Sequence, residues 1–165
     1  MQAVVAAKGK SAPDAVQDEP MRYFLLDGAL PEGHTLVMNT QLGTLSYLTN
    51  GVARPQLLAQ QQLTASELSL LLPLLEQFPH YCPYEVMYAS FYNGIVTEDT
   101  IERCRHQLED ALEDGLWDQQ MRPMRNVLTR VRFKLRSIPG RFDIVSILET
   151  GYLLMAGAKV APASS

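Results

Sequence analysis

The sequence predicts an α+β fold in which strands come first, helices follow and a hairpin closes the domain. Three observations carry this. Between Arg22 and Leu63 the apolar residues fall in short runs separated by turn formers, and Asn50-Gly51 is a strong hairpin signal. From Thr64 to Ser137 they recur at helical spacing, punctuated by caps, prolines and glycines. After Pro139-Gly140, two short apolar runs between Phe142 and Met155 have strand character again.

Each element has its own local reason. Strands are expected at Tyr23 to Leu26, His34 to Met38 and Thr44 to Leu48, with a fourth at Val52 to Leu58 broken by Pro55. Thr64 with Glu67 three residues on is a capping box, opening a helix with Leu68, Leu71, Leu72 and Leu75 on one face that ends before Pro79. Pro83 suits the first turn of a second helix, Tyr84 to about Tyr92, stopped by Asn93-Gly94. Thr97 caps a third, Glu98 to about Asp114, with Ile101, Cys104, Leu108 and either Ala111 or Leu112 inward and Gly115 at its end. The fourth runs from about Pro123 to Ser137, with Met124, Leu128, Val131 and Leu135 forming one stripe. Residues 1–20 and 156–165 are small, polar and proline-containing, and are expected to be a disordered arm and tail around a sheet region (21–63) and a helical domain (64–155).

Composition bounds the function. A chain of 165 residues, 47% apolar and 19% charged, fits one domain with a real core. No apolar run reaches the roughly 18–20 residues of a membrane span. Met1 to Lys8 lacks a basic region before its short apolar stretch, so no signal peptide is expected. Cys82 and Cys104 are too few for a disulfide framework and fit a reducing cytoplasm. With His80 and His106 they form two short Cys/His pairs, but residues two apart on a helix diverge, so buried thiols are the better expectation and no metal is assigned. No glycine-rich phosphate loop, HExxH motif or nucleophile elbow is present, so no catalytic residue, enzyme activity or cofactor is expected. His34 has no evident partner, and Tyr81, Tyr84, Tyr88, Phe91 and Tyr92 are expected to fill the core and its rim.

Charge is segregated although the net value is only −4, which argues against a non-specific polyanion binder. Residues 98–118 hold Glu98, Asp99, Glu102, Glu109, Asp110, Glu113, Asp114 and Asp118 against Arg103 and Arg105. From Arg122 to Arg141 there are seven of the fourteen basic residues and no acid: Arg122, Arg125, Arg130, Arg132, Lys134, Arg136 and Arg141. A helix apolar on one side and cationic on the other is suited to a DNA groove. The alternative is a solvated face, or one neutralised by the acids that precede it.

Four segments, in order, resemble the winged-helix DNA-binding domain of the OmpR/PhoB class of bacterial transcription regulators. Leu63-Thr64-Ala65-Ser66-Glu67-Leu68-Ser69-Leu70-Leu71 is similar to that class's opening "LTxxEfxLL". Pro79-His80-Tyr81-Cys82-Pro83-Tyr84-Glu85-Val86-Met87 resembles the start of its second helix, and Tyr92-Asn93-Gly94 falls where that helix ends in "W-G". Arg122 to Leu135 resembles the recognition helix "R-x-V-D-x-H-I-S-R-L-R-x-K-L", and Ile144 to Leu154 the wing strand "I-x-T-V-R-G-x-G-Y-R-L". The resemblance implies a winged helix-turn-helix with an N-terminal antiparallel β-sheet and a C-terminal hairpin wing. The chain departs from the class in three ways: there is no room for a receiver domain, an acidic helical insert occupies 95–120, and Leu148 and Glu149 replace the wing's arginine and glycine. The last weakens the expectation that the wing grips the minor groove.

The implied function is a sequence-specific transcription regulator acting on double-stranded DNA in the cytoplasm, at the nucleoid, with no membrane partner. Arg125, Asn126, Thr129 and Arg130 are the expected base readers, and Arg122, Arg132, Lys134, Arg136 and Arg141 the phosphate contacts. The whole gene-control reading rests on Arg125 and Arg130 standing clear of the chain's own carboxylates. In the resembled class some members touch RNA polymerase where the insert lies. Glu109, Asp110, Glu113 and Asp114 are therefore expected to meet a basic partner, namely a polymerase subunit, a sigma factor or a second copy of this chain in a homodimer, and Trp117 beside them is expected either to anchor that interface or to pack onto the domain. The alternative is an interaction module on the same scaffold that has lost DNA binding.

Overall fold

The computed structural model describes residues 20–26, 28–51 and 54–157. Most of the expected arm and tail lies outside them. Strands β1 (Met21–Phe24), β2 (His34–Asn39), β3 (Thr44–Asn50) and β4 (Pro55–Gln62) form an antiparallel sheet in chain order. Then come α1 (Ala65–Gln77), the two-residue β5 (Cys82–Pro83), α2 (Tyr84–Asn93), α3 (Glu98–Glu113) and α4 (Trp117–Leu135). The chain ends in the hairpin β6 (Asp143–Ile147) and β7 (Gly151–Met155), which takes in β5 to make a second sheet ordered β5-β7-β6. The α+β order of strands, helices and hairpin is as the sequence predicts.

Pairing places the apolar residues of the first sheet on one face. Leu36 lies opposite Tyr47 and Met38 opposite Leu45, and all four are buried in the hydrophobic core. Pro55 starts β4 instead of breaking it, because a proline costs no ladder bond at the first residue of an edge strand. The turn before it includes residues outside the description.

The first helix begins as expected. Glu67 N–H donates to Thr64 Oγ1 at 3.2 Å, and Thr64 N–H donates to a Glu67 carboxylate oxygen at 2.9 Å. Its buried face is Leu70, Leu71, Leu74 and Leu75, whereas Leu68 and Leu72 are only partly covered, so the expected stripe is rotated by about one residue. Pro73 sits inside α1 and cannot donate to Ser69 O. Ser90 on α2 does so instead, its hydroxyl 2.5 Å from that carbonyl, which both satisfies the group and pins the two helices together.

Helix α4 is longer than its sequence suggests. It starts at Trp117, leaving Pro123 in its interior and not at its first turn. The cause is the tight end of α3: Gly115 adopts φ 74°, and Leu116 N–H reaches back to Ala111 O at 2.7 Å. Trp117 can then pack on Tyr84, and Met121 joins the expected Met124, Leu128, Val131 and Leu135 in the core. The structured chain also extends past Met155. Gly157 N–H donates to Gly140 O at 2.6 Å, which ties residues 156–157 of the expected tail to the domain.

Candidate functional site

The inward stripe of α4 is used up by burial, and its polar residues are distributed by what the neighbouring elements offer. Arg122, Asn126, Thr129 and Arg136 lie exposed. Arg122, Arg136 and the nearby Arg141 have no ion-pair partner among the described residues. Phe133 shares the exposed side and is 70% accessible. Thr129 donates to Arg125 O at 3.1 Å, an ordinary back-bond within the helix.

The other basic residues are engaged. An Arg125 Nη donates to Asp118 at 2.8 Å, and Arg130 Nε to Glu67 at 3.4 Å. The requirement that these two stand clear of the chain's own carboxylates is therefore not met. The two contacts differ in kind. Asp118 is 83% exposed and Arg125 45%, so theirs is a surface pair, of a class contributing about 0–1 kcal/mol. Glu67 is 1% exposed, while Arg130 remains 55% exposed and spends one donor on it. Lys134 turns inward, with Nζ 2.7 Å from both Glu67 and Gln62 O. Arg132 Nε donates to Ile144 O at 2.8 Å and ties α4 to β6. Lys134 and Arg132, expected on phosphates, hold the helix in place.

Glu67 is the centre of this arrangement. Burial pushes its carboxyl upward, but the Lys134 hydrogen bond, the Thr64 N–H and Arg130 outweigh burial and hold its pKa below the ordinary carboxylate value. It was legible only as a cap. Its second role depends on α4 crossing α1, which no local pattern encodes.

Tyr84, at the start of α2, forms a second centre. Its ring meets Trp117 edge-on at 5.4 Å and Tyr152 at 5.3 Å, and its hydroxyl donates to Ile147 O at 3.2 Å. Two hollows lie beside this aromatic group. One, of about 350 Å³, is bounded by Asp118, Arg125, Thr129 and Arg132 of α4 together with Ser146 and Tyr152. The other, of about 610 Å³, lies between α3 and the β6–β7 turn, and Glu85, Glu109 and Glu149 are among its walls.

Of the residues expected to meet a basic partner, Glu109 and Trp117 reach the larger hollow, while Asp110, Glu113 and Asp114 are exposed outside its walls. Trp117 is partly buried on Tyr84, so it is not a free-standing anchor. Leu112 is 66% exposed and Ala111 takes the inward position. At the hairpin tip Leu148 is 85% exposed and Glu149 adopts φ 61°, a left-handed conformation that favours glycine.

Cys82 and Cys104 are both buried. Burial, reinforced by Glu76 and Glu85, pushes the Cys82 thiol up to about 12, and burial also raises Cys104, which accepts from Asn93 at 3.6 Å. Among the described residues no three His, Cys, Asp or Glu side chains converge as metal ligands would. His34 meets the Tyr47 hydroxyl at 2.8 Å. No helix among them is long and apolar enough to cross a membrane.

No family model, curated protein or solved structure matches the chain.

Proposed function

We propose that the chain is a winged-helix, sequence-specific DNA-binding transcription regulator, with α4 as recognition helix, β6–β7 as wing and α3 as an inserted recruitment helix. The observation that carries this is the orientation of α4: its apolar stripe is fully buried, and an unbroken exposed face with Arg122, Asn126, Thr129 and Arg136 remains. The element order supports it, since α1, β5 and α2 follow the first sheet, α4 comes after the insert α3, and the hairpin that follows α4 pairs with β5.

The ion pairs change which residues carry base reading. Asn126, with Arg122 one turn before it, is the foremost reader, because an amide can pair adenine bidentately and an arginine guanine. Arg125 joins by exchanging the exposed Asp118 for DNA, a substitution costing about as little as a surface pair contributes. Arg130 is primarily a strut to Glu67, with its remaining donors available for phosphate. Arg136 and Arg141 contact phosphates.

The test is selection of duplexes from a random pool, followed by titration of the winner. Arg122→Ala and Asn126→Ala should each weaken it by about 1–3 kcal/mol, and more than they weaken a scrambled duplex. Equal loss on both duplexes would reduce α4 to a non-specific cationic surface.

A second reading, an interaction module without DNA, is favoured by the wing. Its tip carries Leu148 and Glu149 with no base, and it borders the acidic α3. A chain that binds no selected duplex yet retains a protein partner would establish that reading.

A further inference from the structure

The 610 Å³ hollow between α3 and the β6–β7 turn combines two features that rarely coincide on a surface left to water. Its banks are aliphatic and open: Leu112 on α3 is 66% exposed and Leu148 on the hairpin tip 85%. Its floor is the buried Leu108 and the edge of Trp117. Arg105, Leu108, Glu109 and Leu112 fall at offsets 0, +3, +4 and +7, so one stripe of α3 forms one whole wall. Scattered single leucines on a surface need no explanation, but opposed ones across a groove mark a binding surface.

The charge around the groove is one-sided. Glu85, Glu109 and Glu149 line it against Arg105 alone. Arg105 is already committed, bonded to Glu102 and, at 3.4 Å, to Glu85. A ligand therefore meets aliphatic rims inside a negative margin. The volume is too large for one side chain and suits two or three anchors in a row. Leu112 and Leu148 stay wet unless the occupant is broad enough to cover both banks.

We infer that this groove docks an amphipathic, lysine- or arginine-rich helix of a partner protein. Its apolar stripe lies on Leu112, Trp117 and Leu148, and its cations face Glu109 and Glu149, the two acids that Arg105 leaves unpaired. Helix-in-groove binding of this kind takes anchors spaced i, i+3 or i+4, and i+7. The inference deepens the recruitment half of the function proposed above, and it does not depend on α4 touching DNA. It also narrows that half: Glu109 is the acid of α3 that takes part, and Asp110, Glu113 and Asp114 act only through their general field.

The test uses a fluorescein-labelled synthetic 18-residue helix, with leucine at i, i+3, i+4 and i+7 and lysine elsewhere, titrated by anisotropy against the whole chain. A matching peptide with glutamate for lysine is the control. The lysine peptide should bind and the glutamate peptide should not. Leu112→Gln and Glu109→Lys, both surface changes, should each weaken the lysine peptide at least tenfold. Glu32→Lys alters the net charge equally at an exposed position away from the groove, and should change affinity less than threefold. Equal weakening by Glu32→Lys and Glu109→Lys would mean general charge attraction and overturn the groove, as would unchanged affinity in Leu112→Gln or no binding by the wild-type chain. Duplex titration of the Leu112→Gln protein separates the two proposals: lost peptide with retained duplex supports the groove, and peptide bound by a chain that binds no duplex removes only the DNA reading.

Discussion

Helices α3 and α4 are neighbours in sequence, pack against each other and carry opposite charge, yet among the described residues no ion pair joins them. The ion pairs of α3 are to its own Glu102 and to Glu85 of α2. Those of α4 are to its own Asp118 and to Glu67 of α1. The neutralisation in cis that the sequence leaves open thus comes down to Asp118, the acid at the start of the basic helix itself. Each helix turns its apolar stripe toward the shared core, and this swings the two charged faces apart. A sign change along the chain has become two separate surfaces.

The difference extends to how each helix is anchored. Helix α4 buries six apolar residues, Met121, Met124, Val127, Leu128, Val131 and Leu135, and three of its cations brace it against α1, β4 and β6. Helix α3 buries only Cys104, Leu108 and Ala111. The first is built into the domain, and the second lies on it with part of its apolar surface left over.

Substitutions on the two helices should expose that contrast most strongly in stability. Leu128→Ala, at a fully buried position on α4, is expected to cost about 2–5 kcal/mol in urea unfolding, and Leu112→Ala on α3 within about 0.5 kcal/mol. Comparable losses at the two positions would erase the distinction between an embedded helix and an applied one.

Next in size is the strut beneath α4. Glu67→Ala removes a capping box and the anchor of Lys134 and Arg130, and should cost about 2–3 kcal/mol. Glu67 has a lowered folded pKa, so its contribution is complete above the unfolded carboxylate value of about 4.3 and disappears as pH falls through the lower folded value. Wild type and Glu67→Gln should therefore differ most near neutral pH and converge in acid. A gap that widens on acidification contradicts the assigned sign.

A smaller effect is expected at the hairpin tip, which borders the α3 side of the molecule. Glu149→Gly relieves a left-handed backbone and should raise the urea midpoint by the equivalent of about 1 kcal/mol. No gain would mean that Glu149 makes compensating contacts on the groove wall.

Legibility follows the range of each interaction. The Thr64/Glu67 capping box, the Gly94 and Gly115 stops and the Met124-to-Leu135 stripe depend on residues a turn or two apart, and all were readable. The start of α4 was not, because Pro123 advertises a first turn that the packing of Trp117 on Tyr84 overrides. The coupling of Glu67 to Lys134 spans 67 positions, and that of Ser90 to the carbonyl freed by Pro73 depends on how α1 crosses α2. The outward direction of α4 was legible from its apolar period. Which of its arginines are committed was not, since that depends on carboxylates brought in from elsewhere.

The most direct test of the DNA account is a salt series on a selected duplex, run with wild type and Arg122→Ala. With about three phosphates neutralised by Arg130, Arg136 and Arg141, affinity should fall roughly fortyfold between about 50 and 200 mM salt, and the variant, which lacks a base reader, should bind less tightly at every salt concentration. Affinity indifferent both to salt and to Arg122 would contradict a DNA-facing α4.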